Sequence, residues 1–188
     1  MKKPGFEASP VVLTIGHSTH TLEAFICLLQ EYGVQRVVDV RTIPRSRHVP
    51  QFNREELPRN LRAVGISYVH VPGLGGLRRK LADSLNTGWR NPSFRGFADY
   101  MQTEEFNDCV RELIELARTE RIALMCAEAV PWRCHRSLIA DALSVRGVQV
   151  KHILSSTSLQ DHKITPWARV DGILITYPPQ ESRNCRKS

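Results

Sequence analysis

The sequence predicts a three-layer α/β/α fold around a mostly parallel, Rossmann-like sheet. Short β-branched runs alternate along the chain with stretches of helical periodicity, and no internal repeat interrupts the alternation. Strands that alternate with helices imply right-handed crossovers, which cover both faces of a parallel sheet. The chain has 188 residues, of which 41% are hydrophobic. That length and composition suit one domain with a single sizeable core.

The first strand and helix are predicted directly after the N-terminal segment. Residues 11–15, VVLTI, form a short apolar run that is typical of a buried strand. The segment after it places apolar residues on one helical face, with Thr21 suited to cap its start and Gly33 suited to end it. Residues 36–40, RVVDV, then predict the second strand.

The next elements are a helix, a strand and a long loop. Residues 53–64 predict a helix whose first residues resemble a capping box, although Pro58 favours a start nearer Leu57. Residues 66–71, ISYVHV, predict the third strand. Glycines, prolines and charges indicate that at least half of residues 72–94 is loop.

The later part of the chain continues the alternation and then weakens. The predicted elements are a short helix at 93–101, a long helix capped by Thr103, a strand at 121–126, a helix that opens at Cys134 and closes at Gly147, and a strand at 148–154. We therefore predict an α/β domain over residues 1–155 and a C-terminal extension over residues 156–188. In that extension, GILITYP predicts a further strand at a sheet edge, and a basic tail follows it.

Composition also restricts the class of protein and its partners. The net charge is +7 and the isoelectric point is about 9.5, which favours anionic partners, either small molecules or nucleic acid. No apolar run approaches the roughly 20 residues that span a bilayer, so no membrane partner is expected. Five cysteines with irregular spacing indicate a reducing compartment rather than a disulfide framework. We expect a cytoplasmic protein, and the sequence predicts no oligomeric state.

Several long motifs resemble a known family. TIGHST, VVDVRTIPRSR, QFN, YVHVPGLGG, FADYMQT and MCAEAVPWRCHR occur in this order, with HIL after them. In order and spacing they are similar to the domain of unknown function 488 family over roughly residues 11–154. The resemblance implies an α/β protein with Rossmann-like layering. It brings no established activity, cofactor or site residues, so function has to be inferred from the side chains.

The loop after the fourth predicted strand has the strongest chemical character. Cys126 ends the strand, and Cys134, His135 and Arg136 open the next helix. A thiol near a helix N-terminus and arginines has a lowered pKa, and a phosphate binds to the same groups. In outline the loop resembles the thiol loops of rhodaneses and cysteine phosphatases, although it is longer. We take Cys126 as a candidate nucleophile and Cys134, His135 and Arg136 as candidate anion ligands.

Each of these residues has an alternative interpretation. Cys126 can be a small buried core residue, as free cysteines commonly are. Cys126, Cys134 and His135 together with His17 can also supply four zinc ligands, but adjacent Cys and His ligands are awkward and no metal site is predicted. Glu128 either pairs with an arginine or transfers protons, and the sequence does not decide between the two.

The loop after the second predicted strand is a second candidate binding segment. Arg41 and Arg45 are suited to bind phosphate, while Asp39 is expected to bind backbone or Arg41. Ser46 is either a nucleophile or a hydrogen-bond donor. His17, at the end of the first strand, is a candidate for proton transfer. GHST lacks the dinucleotide fingerprint, and PGLGG lacks the P-loop lysine.

Two functions fit these loops. The first is an enzyme that acts on a phosphate-bearing or nucleotide-like substrate by thiol or acid–base chemistry. The second is a nucleic-acid-binding module without turnover, in which arginines contact phosphates. Thiols, a carboxylate and histidines in the same loops favour the enzyme, because phosphate binding alone does not need them.

Overall fold

A computed structural model describes residues 9–179 of the chain. Its centre is a six-stranded sheet in the order β3-β2-β4-β1-β5-β6, in which only β6 runs antiparallel to its neighbour. A separate two-stranded hairpin, β7-β8, follows it. The strands are β1 (Val11–Gly16), β2 (Arg36–Asp39), β3 (Ser67–His70), β4 (Ile122–Cys126), β5 (Gln149–Ser155), β6 (Ser158–Asp161), β7 (Arg169–Asp171) and β8 (Leu174–Thr176).

Helices cover both faces of the central sheet, so the three-layer α/β/α prediction is confirmed. One core lies between the sheet and α1 and α2, and the other lies between the sheet and α3, α4 and α5. No helix among residues 9–179 is both long enough and apolar enough to span a membrane. The helices are α1 (Leu22–Glu31), α2 (Leu57–Ala63), α3 (Pro92–Tyr100), α4 (Glu104–Thr119) and α5 (Arg136–Ser144).

Several local predictions are confirmed by hydrogen bonds. The hydroxyl of Thr21 accepts from the Ala24 amide at 3.2 Å, and Thr103 caps α4 in the same way. Helix α2 begins at Leu57, as the position of Pro58 favours, because a proline is tolerated only in the first turn of a helix. The side chain of Asn53 makes no cap there; it accepts a hydrogen bond from the Ser46 amide instead.

Two predicted elements differ from the structure. Helix α5 begins at Arg136 rather than Cys134, because residues Pro131–Arg133 form a 3-10 turn that reorients the chain first. The strand predicted in GILITYP lies in the β7-β8 hairpin, and the edge of the main sheet is occupied by β6. The basic tail predicted at the C-terminus lies mostly outside the described residues.

The C-terminal segment is attached to α5 by one buried carboxylate. Asp141 is fully buried in α5 and accepts hydrogen bonds from His162, Thr165 and Tyr177 at 2.7–3.0 Å. His162 also contacts His152 of β5 at 3.0 Å. A buried carboxylate with this many donors joins residues beyond β5 to the same core as the parallel sheet.

Candidate functional site

A cavity of about 410 Å³ opens at the carboxyl ends of β2, β3 and β4. Sites of open α/β sheets gather at this edge, and the strand order places β4 between β1 and β2. As a result, the loops after β2, β3 and β4 converge there. The cavity is lined by Arg41, Thr42, Ile43, Gly76, Leu77, Asn91, Ser93, Phe94, Cys126, Ala127, Glu128, Arg133, Cys134 and His135.

Two thiols meet in the wall of this cavity. The Sγ atoms of Cys126 and Cys134 are 2.9 Å apart, and both side chains are buried. The Nη1 atom of Arg136 donates to the Cys126 sulfur at 3.1 Å, and the Arg136 backbone amide lies 3.5 Å from the Cys134 sulfur. Cys126 therefore has a positively charged donor and a second thiol beside it.

The surroundings shift the pKa values of the two cysteines in opposite directions. The pKa of Cys126 is lowered, first by the hydrogen bond from Cys134 and then by the charge of Arg136, against the opposing effect of burial. The pKa of Cys134 is raised well above its usual value by its hydrogen bond to Cys126 and by burial. Of the two thiols, Cys126 therefore loses its proton more readily, and Cys134 keeps its proton.

The side chain of Arg136 is buried, and its contacts are made inside the protein. Its side chain is 1% exposed, and Nη2 donates to the Ala129 carbonyl at 3.3 Å while Nε has no partner among the described residues. The amides of Ser137 and Leu138, in the first turn of α5, donate to the carbonyls of Cys134 and His135. Arg136 consequently binds the sulfur directly, and these amides are not free to cradle a phosphate.

His135 lies behind Cys134 with a defined tautomer. Its Nε2 is 3.1 Å from the Val40 carbonyl oxygen, which can only accept, so Nε2 carries the proton. The bare Nδ1 atom is 3.5 Å from the Cys134 sulfur. Burial lowers the pKa of His135 to about 4, and the ring is therefore neutral near pH 7. The Nδ1 atom of this neutral imidazole can accept a hydrogen bond from the Cys134 thiol.

Gly16 allows the loop after β4 to approach β1. It pairs with Cys126 in the sheet, and a Cβ atom at this position would lie 2.0 Å from the Glu128 carbonyl oxygen. Because the clash would be with backbone, no side-chain rearrangement relieves it. Gly76 similarly lets the loop after β3 pack on the ring of His135, with an added Cβ 2.5 Å from Nδ1.

A second cavity, of about 480 Å³, lies beside the first. It contains His17, Arg45 and Ser46, which come from the loops after β1 and β2. Glu128 and Arg41 line both cavities, so they lie along the boundary between them. Glu128 is exposed, and its carboxylate accepts from the Val130 amide at 3.3 Å.

Arg41 and Asp39 form a buried ion pair under this boundary. Nε and Nη2 of Arg41 bind the Asp39 carboxylate, at distances down to 2.6 Å, and Nη2 also donates to the Phe52 carbonyl. Tyr68 donates to the same carboxylate at 2.7 Å, and its pKa rises because of burial and the Asp39 charge. Most of the donors of Arg41 are therefore used within the protein.

His17 is held by a stacked ring and at both nitrogens. The ring stacks on Phe52 with centroids 4.3 Å apart, Nδ1 donates to the Ser18 carbonyl, and Nε2 lies 3.2 Å from Nη1 of Arg41. Burial, followed by the charge of Arg41, lowers the pKa of His17 to about 4. Its neutral ring supports the position of Arg41.

Two other arginines are available to an anion. Arg45 and Arg133 are exposed, line the second and the first cavity respectively, and make no side-chain hydrogen bond or ion pair with any residue of the described range 9–179. The hydroxyl of Ser46 accepts from the His48 and Val49 amides at 3.2 and 3.4 Å and so fixes the turn. Neither of these hydrogen bonds activates Ser46 as a nucleophile.

A protein-family model described as "Domain of unknown function DUF488" matches residues 21–143. The match covers more than half of the chain. The chain belongs to the DUF488 family. Searches of curated proteins and of solved structures returned no match. The DUF488 assignment confirms the family resemblance in the motifs, and the function must still come from the site.

The DUF488 match contains the loop from Cys126 to Arg136, which we call the thiol loop, but not all of its surroundings. Cys126, Cys134 and Arg136 lie within it, whereas Gly16 and His17 lie before it. Within residues 9–179 there is no cluster of three or more His, Cys, Asp or Glu side chains arranged to hold a metal ion. The two nitrogens of His17 are already engaged, which is a separate obstacle to the four-ligand zinc arrangement.

Some cavity residues of this DUF488 protein were not predicted from the sequence. Asn91, Ser93 and Phe94 line the first cavity from the start of α3, and Arg133 reaches it from the 3-10 turn. The buried contacts among Asp141, His162 and His152 were also missed. His152 carried a signal in the sequence. It lies two residues after Val150 in β5 and therefore on the same, core-facing side of the strand.

Proposed function

We propose that this DUF488 protein is an enzyme that uses the Cys126 thiolate as a nucleophile on a phosphate-bearing or nucleotide-like substrate. The observation that carries the proposal is the 3.1 Å contact between Arg136 Nη1 and the Cys126 sulfur in the wall of an open cavity. A fully buried arginine on a thiol favours the thiolate, and the thiolate is the reactive form of cysteine.

Arg133 and Arg45 are proposed to bind the anionic part of the substrate. Both are exposed in the cavities and have no internal partner in residues 9–179, so an anion replaces only their hydration. Their forks match phosphate oxygens in pairs. Arg41 has a smaller share in this proposal, because Asp39 neutralises its charge and occupies its fork.

Glu128 is proposed to activate water in the second half of the reaction. First, the Cys126 sulfur bonds to phosphorus as the ester P–O bond breaks, and the departing oxygen takes a proton from solvent. Water then attacks phosphorus while its proton passes to the Glu128 carboxylate, the S–P bond breaks, and phosphate leaves. The thiolate is restored, and Glu128 releases its proton to solvent. Both side chains line the same cavity.

The remaining predicted site residues are assigned positioning roles. Asp39 and Tyr68 orient Arg41, and His17 supports Arg41 from the other side. Ser46 fixes the turn that carries Arg45. Cys134 and His135 stabilise the thiolate of Cys126 from the α5 side, in line with the hydrogen bond between the two sulfurs.

Nucleic-acid binding without turnover is the second candidate, because of one specific observation. The loop after β2 exposes Arg45, Arg47 and His48, and the loop after β3 exposes Arg79 and Lys80. Such segments bind phosphate backbones with a steep dependence on salt. This candidate gives no role to the buried thiol pair, and for that reason the enzyme is preferred.

The proposed enzyme is tested with a panel of phosphomonoesters and nucleotides, measuring phosphate release. The wild type should turn over at least one of them, and acid quenching should trap one phosphoryl group on Cys126, detected by peptide mass mapping. Cys126→Ser should lower kcat by more than about a thousandfold, and Glu128→Gln by about 10² to 10⁴. Cys27→Ser and Glu55→Gln, both at exposed positions, are matched controls.

The outcomes separate the two candidate functions. Turnover that survives Cys126→Ser at the wild-type rate rules out the thiol mechanism. If no compound of the panel is turned over or raises the melting temperature, and short DNA or RNA binds with a log–log salt slope of several units, the binding module is the better description.

A further inference from the structure

The two sulfurs of the thiol loop are closer than two unbonded sulfurs normally approach. The Cys126 and Cys134 Sγ atoms are 2.9 Å apart, and a disulfide bond is about 2.05 Å long. Closing the bond therefore requires a movement of roughly 0.9 Å, which small side-chain rotations supply. Among residues 9–179, both cysteines are free thiols in this structure.

We propose that Cys126 and Cys134 form a peroxide-reducing dithiol pair, in which Cys126 is oxidised and Cys134 resolves it as a disulfide. This reaction is a second activity of the site. It uses the nucleophile of the proposed phosphate-ester-cleaving enzyme, but it does not depend on that function or on a phosphate-bearing substrate.

Burial of the pair selects the oxidant by size. Cys126 is 2% exposed and Cys134 is 7% exposed, but both line the cavity of about 410 Å³. Hydrogen peroxide and small organic hydroperoxides fit through such an opening more readily than a bulky disulfide. Thiol–disulfide exchange with a large partner needs access along the S–S axis, which these buried side chains do not offer.

The chemistry balances with groups that are present in the site. The Cys126 thiolate attacks the peroxide oxygen, the O–O bond breaks, and protonation by solvent releases water or an alcohol while Cys126 becomes a sulfenic acid. Cys134, whose sulfur lies 3.5 Å from Nδ1 of His135, then attacks the Cys126 sulfur. The S–O bond breaks, and the departing hydroxide takes the proton of Cys134 to form water. Two thiols are oxidised to one disulfide, and a small dithiol reductant reverses the reaction.

His135 positions the resolving thiol. The Val40 carbonyl holds the proton on Nε2, so Nδ1 can accept a hydrogen bond from the Cys134 thiol and orient it toward Cys126. Arg136 contributes in the first step, because its Nη1 faces the Cys126 sulfur and stabilises the negative charge there. The same side chains therefore assign the peroxide-reactive role to Cys126 and the resolving role to Cys134.

The test treats the fully reduced wild-type protein with hydrogen peroxide and maps its peptides without reduction. We expect a Cys126–Cys134 disulfide, the loss of two titratable thiols, recovery with dithiothreitol, and peroxide consumption beyond one equivalent per chain when dithiothreitol is present. Cys134→Ser should stop at a sulfenic acid on Cys126 that dimedone traps. Cys126→Ser should leave Cys134 reduced, and Cys27→Ser should behave like the wild type.

Other results overturn the inference. If Cys27 is oxidised at peroxide concentrations that leave Cys126 and Cys134 as thiols, the pair is not peroxide-reactive. If Cys126 advances to sulfinic acid in the wild type without a disulfide, Cys134 is not its resolving partner. Because the mapping is done on the wild type, misfolding of a variant does not decide the question. Ester turnover measured on the same reduced sample reports the proposed function separately, since either activity can fail while the other persists.

Discussion

The Nη1 atom of Arg136 donates to the sulfur of Cys126 at 3.1 Å, and this contact joins the end of β4 to the first residue of α5. It connects two elements that pack on the same core, with Arg136 itself 1% exposed. A charged side chain this deeply buried needs a negative or strongly polar partner. The Cys126 sulfur is the polar partner of Nη1, so a change at this contact should affect both the reactivity of the thiol and the stability of the fold.

The reactivity of Cys126 should appear at a lower pH than that of an ordinary thiol. Its pKa is lowered by the hydrogen bond from Cys134 and by the charge of Arg136. The rate of iodoacetamide labelling at Cys126, followed by peptide mapping, should therefore rise with a midpoint below about 8.5, the value of a free cysteine. Cys134→Ala should raise the midpoint, because it removes the largest stabilising contact. A wild-type midpoint at or above 8.5 contradicts the assignment.

Replacement of Arg136 should cost stability as well as reactivity. Arg136→Lys keeps the charge but loses the fork that spans the Cys126 sulfur and the Ala129 carbonyl. We expect the free energy of unfolding to fall by about 3 kcal/mol or more, as for a broken buried pair, and the labelling midpoint of Cys126 to rise. Urea unfolding measures the first effect. Arg133→Lys, at an exposed neighbouring position, should stay within about 0.5 kcal/mol of the wild type.

The close approach at Gly16 gives a backbone test of the same site. Gly16→Ala places a methyl group against the Glu128 carbonyl and should displace the loop after β4. We expect a loss of about 1 to 3 kcal/mol of stability and a changed rate of Cys126 labelling. Gly147→Ala is the matched control: Gly147 has a φ of 79° with no atom within 4 Å of an added Cβ. It should lose about 1 kcal/mol and keep the wild-type labelling rate.

Acid should destabilise the protein through its neutral histidines. The pKa values of His17, His135 and His152 are each lowered from 6.5 to about 4, first of all by burial. Between these values the unfolded chain binds more protons than the folded chain, so stability falls as the pH drops from 6.5 to 4. Each histidine contributes a slope of about 1.4 kcal/mol per pH unit. His17→Gln should lower the total slope by that amount, and an unchanged slope would contradict the neutral form of His17.

Replacement of Asp141 should lower the stability of the fold strongly. Asp141→Asn turns an acceptor of four hydrogen bonds from three residues into a group that also donates. Thermal or urea unfolding should show a loss of about 3 to 5 kcal/mol. Asp161→Asn is the control, because its ion pair with Lys151 is largely exposed on the Asp161 side and contributes at most about 1 kcal/mol. Equal losses in the two variants would contradict the role of Asp141.

Local sequence patterns were sufficient to predict most of the helices and strands. Features that depend on contacts between residues far apart in the chain could not be predicted from these patterns. Thr21, Gly33 and Thr103 act through neighbours within a few residues, so their caps and stops were visible in the sequence. Likewise, the convergence of polar loops at the strand ends followed from the α/β alternation alone. The strand order did not follow, because a strand's periodicity identifies its buried face but not its neighbours in the sheet.

The site depended on that missing order. Only the position of β4 between β1 and β2 brings Cys126 against Gly16 and near Arg41. The 2.9 Å approach of Cys134 depends in addition on the 3-10 turn before α5, whereas a helix from Cys134 onward was expected. The sequence therefore identified Cys126 and Cys134 as candidate site residues without predicting that the two thiols touch.

The hydrogen bonds to Asp141 distinguish the unit that is recognisable by homology from the unit that can fold. The family match ends at residue 143, but the partners of Asp141 are His162, Thr165 and Tyr177. The match also leaves out β1, which lies between β4 and β5 in the sheet. A fragment trimmed to the matched residues would lose β1, β5 and β6, expose the edge of β4 and leave the buried Asp141 carboxylate without its partners. Excision of that fragment should yield an aggregating chain, because the exposed edge of β4 can pair with another chain.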